Sequence, residues 1–167
     1  SVIHPPVDTK KFSPRKSRGD FYLSVSRLVP NKRIDLLVKA FNKLDFPLII
    51  VGSGPEKKKL MKISKNNISF LNYQDDLSIK NLMETCRAFV YTGIEDFGIA
   101  PVEAMAAGAP IIAFKKGGIL DTVKCINSEA KIATGILFDE QNDKVIRDCI
   151  SYFCLLYTSP SPRDVHL

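Results

Sequence analysis

One stretch admits few folds. An apolar run, Ala88-Phe-Val-Tyr91, is followed by Glu95-Asp-Phe-Gly98-Ile-Ala-Pro101-Val-Glu103-Ala-Met-Ala-Ala-Gly108, and then by a second apolar run, Pro110-Ile-Ile-Ala-Phe114. Runs of this length, bounded by turn residues, read as buried strands. Between them, Pro101 stands where the first turn of a helix tolerates a missing N–H, and Gly108 where a helix ends. The stretch therefore predicts strand, helix, strand, with Glu95 and Glu103 flanking the helix N-terminus. Free N–H groups and a partial positive charge at that terminus suit a phosphate. An ionised carboxylate only accepts hydrogen bonds, so it suits hydroxyls. Phosphate and hydroxyls together describe a nucleotide, a sugar, or both.

The rest of the chain repeats the alternation. Strands are expected at Phe21–Ser26, Phe46–Val51, Ile68–Leu71 and Ala133–Phe138. Helices are expected around 34–41, from Glu56 to Ser64, from Asp76 to Arg87, from Ile119 to Val123 and from Asp143 to Phe153. In the Asp76 helix, Leu77, Leu82 and Met83 are expected on the inner side. Alternating strands and helices predict an α/β, Rossmann-like open parallel sheet with helices on both faces. The 167 residues suffice for one domain with a real core.

Several function classes recede on composition. No apolar run nears the ~20 residues of a membrane span. The formal charge of +6 is best read as a lysine-rich solvated surface, so no nucleic-acid partner is expected. The lysines of Glu56-Lys-Lys-Lys59 leave room for peripheral membrane contact. Cys86, Cys125, Cys149 and Cys154 have no metal-type spacing and suit a reducing compartment, hence a cytoplasmic setting. His4 and His166 sit at the extreme ends, outside any motif.

Open parallel sheets bind ligands beyond the carboxyl ends of their strands. Arg27 and Lys32 follow the first strand, a fork and a point charge suited to a diphosphate. Gly52-Ser-Gly54-Pro55 follows the second strand. It fails the dinucleotide fingerprint, because Lys57 occupies the final glycine position, and it reads as a tight turn opening a helix. Asn72-Tyr73-Gln74 follows the third strand. Lys116-Gly117-Gly118 follows the strand ending at Phe114.

The seven-residue gap between Glu95 and Glu103, with Phe97-Gly98 inside it and Glu103-Ala-Met-Ala-Ala-Gly108-Ala-Pro110 after it, resembles the signature of the family 4 retaining, nucleotide-sugar-dependent glycosyltransferases. The resemblance spans roughly residues 1–153 and implies the C-terminal, donor-binding half of a GT-B fold. It implies catalytic roles for Arg27, Lys32 and Glu95. Arg27 and Lys32 would clamp the donor diphosphate, Glu95 would take hydroxyls of the sugar, and Glu103 those of the ribose. The N–H groups of Phe97, Gly98, Ile99 and Ala100 would face the sugar and distal phosphate. Asn72 and Tyr73 would lie near the base. Ser26 stands where glycine is frequent in the family. The run Glu95 to Glu103, with Asp139-Glu-Gln, looks most like bacterial mannosyltransferases of polysaccharide assembly that use GDP-mannose. No metal and no cofactor beyond the nucleotide-sugar substrate are implied. The implied partners are a glycan or lipid-linked acceptor and an N-terminal acceptor domain.

Residues 1–19 read as a Pro-rich, basic linker, 20–153 as the nucleotide-sugar-binding domain, and 154–167 as a non-native tail. Cys154 to Asp164 resembles the in-frame translation of a sequencing adapter. No signal-peptide pattern opens the chain, and its first residue is Ser, so upstream sequence is expected. Two other functions fit a Rossmann-like sheet. An NAD-dependent oxidoreductase is disfavoured by the failed glycine fingerprint. A non-catalytic nucleotide-binding module is disfavoured by the intact set of Arg27, Lys32, Glu95 and Glu103.

Overall fold

The computed structural model describes residues 6–15, 17–126 and 132–158. His4, His166 and the end of the expected tail lie outside them. Six strands and six helices alternate: β1 (Tyr22–Val25), α1 (Ile34–Phe41), β2 (Leu48–Val51), α2 (Lys57–Ile63), β3 (Ile68–Leu71), α3 (Asp76–Thr85), β4 (Ala88–Tyr91), α4 (Ile99–Ala106), β5 (Ile111–Phe114), α5 (Ile119–Thr122), β6 (Gly135–Phe138) and α6 (Asp143–Thr158). The sheet order is β3-β2-β1-β4-β5-β6, and each neighbouring pair is parallel. This is the doubly wound, Rossmann-like architecture, with its reversal between β1 and β4.

The register opens a crevice at that reversal. β1 pairs with β2 along its whole length, to Val25 against Val51. Its ladder with β4 holds only Tyr22 against Ala88 and Leu23 against Phe89. The carboxyl halves of β1 and β4 are thus left unzipped from each other, and ligands of such sheets sit at this place.

Strand side chains alternate between the two faces, and each face has its own core. Tyr22, Ile50, Val90, Ile112 and Phe138 pack with Phe41 of α1 and with Ile146, Ile150 and Phe153 of α6. Leu23, Val51, Phe89, Tyr91 and Ala113 pack with Met83 of α3, Ala104 of α4 and Ile119 of α5. Because both faces are covered, strands such as β4 and β5 read as unbroken apolar runs.

Three features depart from or extend the sequence reading. Leu77 is 64% exposed rather than turned inward. At about 100° per residue it lies well away from the face shared by Ile79, Leu82 and Met83. The expected linker does not run free: Phe12 is buried in the second core. The buried Glu84 carboxylate accepts the Ser13 N–H at 2.7 Å. Arg18 donates to the carbonyls of Met83, Cys86 and Ala107, tying the ends of α3 and α4 together. Finally, α6 runs past the expected Phe153 to Thr158, and Cys154 Sγ meets the Tyr22 hydroxyl at 3.0 Å. Among the described residues no helix is long and apolar enough to cross a membrane.

Candidate active site

The loop from β4 to α4 is built to hold a carboxylate above the crevice. Thr92 is buried and donates through Oγ1 to the carbonyls of Lys32 and Arg33. This fastens the β4 loop to the 3₁₀ turn Pro30–Lys32 that follows β1. Gly93 sits against that turn: a Cβ there would meet Lys32 Cα at 3.1 Å. Lys32 is therefore fixed by its backbone as well as by its side chain, which is only 13% exposed and donates from Nζ to Glu95 Oε1.

Glu95 is held from three directions. Its Oε1 accepts from Lys32 and, at 2.8 Å, from the Tyr91 hydroxyl. Its carbonyl accepts the Gly118 N–H at 2.9 Å. Burial raises the carboxyl's pKa, but the bonds from Lys32 and Tyr91 outweigh it, and the net shift is downward. The turn Lys116-Gly117-Gly118 forms the floor of this loop. A Cβ on Gly117 would come within 2.3 Å of the Glu95 carbonyl oxygen, and one on Gly118 within 2.3 Å of the Asp96 oxygen. Glycine is needed at both places because backbone packs on backbone.

Beyond Phe97, Gly98 turns the chain with φ 81° into α4. No side chain caps that helix, and its first turn carries no acid, so its N-terminal amides face the crevice without an internal carboxylate. A cleft of about 480 Å³ lies in front of it, lined by Val25, Ser26, Tyr91, Glu95, Asp96, Phe97, Gly98, Ile99, Ala100 and Pro101. Such an arrangement can hold an anion at the helix end and a hydroxyl-bearing group at Glu95. A larger cleft of about 610 Å³ lies between the ends of β5 and β6 and α6, lined by Lys115, Lys124, Cys149 and Tyr152 among others. It lies away from the switch point between β1 and β4.

The remaining expected residues fall into two groups. Glu103 lies four residues into α4, about 6 Å along its axis from Ile99. Its Oε1 is bonded to Lys11 Nζ at 2.7 Å. Arg27 is exposed at the end of β1, next to the cleft-lining Ser26, and has no side-chain bond among the described residues. Asn72 and Tyr73 do not join the cluster. They follow β3, two strands from β1 and thus about 10 Å to the side. Tyr73 is 83% exposed, and Asn72 accepts from Lys57 at 2.5 Å. Gly52 and Gly54 are structural: a Cβ at Gly52 would lie 1.9 Å from the Ser26 carbonyl oxygen. No group of three His, Cys, Asp or Glu residues able to hold a metal occurs among the described residues.

Residues 7–160 match the family of glycosyl transferases, group 1. The chain belongs to that family. Among its curated relatives is a glycosyltransferase of Methanocaldococcus jannaschii, 33% identical over 64% of this chain and 32% of its own length. Another is the GDP-mannose-dependent monoacylated alpha-(1-6)-phosphatidylinositol monomannoside mannosyltransferase of Corynebacterium glutamicum, 31% identical over 70% of this chain and 39% of its own. Among solved structures, Alr3699/HepE of Anabaena in complex with UDP-glucose superposes with a TM-score of 0.71 at 27% identity, covering 83% of this chain and 40% of that one. The chain spans about a third of the length of the curated relatives it matches.

Two residues of this group 1 glycosyltransferase chain carry contacts that the sequence reading did not assign. Tyr91 reads as core from its strand, and its ring is indeed buried, yet its hydroxyl reaches Glu95. Lys11 lies in the linker, 92 positions from Glu103, where no local pattern announces a contact.

Proposed function

We propose that the chain is the donor-binding half of a retaining GT-B hexosyltransferase. It moves a hexose from a nucleotide-sugar to a glycan or lipid-linked acceptor, with the acceptor half supplied by an N-terminal domain. The observation that carries this reading is the convergence of Glu95, its partner Lys32 and the uncapped N-terminus of α4 on one cleft at the switch point, with Arg27 next in sequence to the cleft-lining Ser26 and Glu103 one turn further along α4.

The chemistry follows from the charges. A nucleoside diphosphate leaves as the glycosidic bond breaks, and its negative charge grows in the transition state. Arg27, Lys32 and the α4 amides act most strongly on that charge. Lys32 has three N–H donors, so one can stay on Glu95 while the others reach phosphate. Glu95 accepts sugar hydroxyls and Glu103 ribose hydroxyls. No metal or further cofactor enters the proposal. The GDP-mannose dependence of the Corynebacterium relative and the run Glu95 to Glu103 support mannose as the sugar. The UDP-glucose complex of the Anabaena protein supports the broader class. On this reading the reaction is cytoplasmic, at the membrane face where the acceptor is lipid-linked.

Calorimetric titration tests the reading. The chain is expected to bind GDP-mannose or UDP-glucose and to ignore NAD. Lys32→Ala should weaken a nucleoside diphosphate far more than the nucleoside. Binding of NAD in preference to both nucleotide-sugars contradicts the proposal, as does a Lys32→Ala chain with unchanged diphosphate affinity. The chain alone is expected to transfer no sugar, and turnover with an added polyprenyl-linked acceptor contradicts that part.

A further inference from the structure

We infer that Tyr91 is a positioning residue for the sugar-binding carboxylate: its buried hydroxyl holds Glu95 in place when Lys32 turns to the donor phosphates. The inference rests on the proposed roles of Glu95 and Lys32. Its observations are independent of them.

Tyr91 ends β4, is 2% exposed and donates to Glu95 Oε1 at 2.8 Å. The Lys32 ammonium bonds the same oxygen. A carboxylate oxygen has two lone-pair sites, so these donors fill Oε1 and leave Oε2 as the oxygen with free acceptor capacity. Glu95 and Tyr91 both line the cleft. A sugar hydroxyl is thus directed to one oxygen of one rotamer.

The two donors differ in what else they can do. Lys32 carries a cation that a diphosphate attracts, so donor binding shares its ammonium between phosphate and Glu95 and loosens its hold on the carboxylate. Tyr91 cannot follow: its ring is packed against the core beneath α4. Burial and the neighbouring carboxylate push its hydroxyl above the ordinary tyrosine pKa, so it stays a donor at neutral pH. Without that hydroxyl, the phosphate and the sugar would compete for Lys32 and for the order of Glu95.

Tyr91→Phe keeps the ring and removes the hydroxyl. The test is calorimetric titration of the full chain with GDP and GDP-mannose, and with UDP and UDP-glucose, scoring the pair that the parent binds more tightly. Tyr91→Phe should weaken the nucleotide-sugar about tenfold and leave the bare diphosphate within about twofold. In a Glu95→Gln background it should add nothing. Equal affinity of Tyr91→Phe and parent for the nucleotide-sugar overturns the proposal. Equal weakening of both ligands does so too, because a structural role alone would do that. Glu95→Gln separates the two levels. If it fails to discriminate the ligands, the sugar-carboxylate reading has fallen. If it discriminates and Tyr91→Phe does not, only the positioning role has. A parent that binds neither pair removes the donor site, and the proposal with it.

Discussion

Glu95 and Glu103 flank one helix N-terminus, yet the fold treats them differently. Glu95 is bound by a lysine from the β1 turn, a tyrosine from β4 and, through its carbonyl, the glycine turn after β5. Three segments far apart in sequence agree on its position. Glu103 projects from the helix itself and, among the described residues, meets Lys11, whose side chain is 39% exposed and which belongs to the segment leading into the domain. The helix positions the Glu103 backbone, and the 2.7 Å bond from Lys11 meets its carboxylate. The first site is organised by the fold, and the second is paired with a half-exposed cation. Under the proposed roles, the sugar would meet the carboxylate that the fold fixes, and the ribose the one whose cation a ligand would have to displace.

The comparison breaks most severely at the glycine turn. Gly118→Ala puts a Cβ 2.3 Å from the Asp96 oxygen and 2.6 Å from Phe97 Cα, so the Glu95 loop must move. A loss of about 2–3 kcal/mol in urea denaturation is expected, with nucleotide-sugar affinity falling beyond measurement. A change below about 0.5 kcal/mol would show that the loop is not braced there.

Lys11→Met probes the other side. If Lys11 competes with ribose for Glu103, its removal should raise GDP affinity about three- to fivefold, the equivalent of an exposed ion pair. The hydrogen bond to Glu103 raises the Lys11 pKa, so the pair stays intact through neutral pH and the gain should be visible at pH 7. Unchanged or weaker GDP binding would make Lys11 a spectator or a helper.

The smallest effect concerns acid. The folded-state pKa of Glu95 is lowered, so its contribution to stability is present above the ordinary carboxylate range and is lost as pH falls through the lowered value. Glu95→Gln should cost less than about 1 kcal/mol at pH 7, because the carboxylate is partly open to solvent. The difference from the parent should shrink in thermal melts as pH falls below the ordinary carboxylate range. A gap that does not shrink with acid would mean that shape, not charge, holds the loop.

The strands were legible because both sheet faces are buried, which makes β4 and β5 continuous apolar runs with clear ends. The reversal between β1 and β4 was not, since neither strand carries a local sign of its neighbours. Glu95 and Glu103 stood out through Gly98, Pro101 and Gly108, whose backbone constraints are local. Tyr91 hid because one side chain serves the core with its ring and the site with its hydroxyl. Lys11 hid because its partner is distant in sequence. The placement of Leu77 failed on the angle between positions in the first turn of α3, where a leucine near a polar cap does not report which way the helix faces.

The central claim is that the two carboxylates serve two parts of one ligand. Its most direct test is a four-way titration of Glu95→Gln and Glu103→Gln with GDP and GDP-mannose. Hydrogen bonds to a charged group contribute about 1.5–3 kcal/mol, so each lost contact should weaken affinity about tenfold to a hundredfold. Glu103→Gln should weaken both ligands alike, and Glu95→Gln only GDP-mannose. Equal loss of both ligands in Glu95→Gln, or no loss in either variant, would contradict the account.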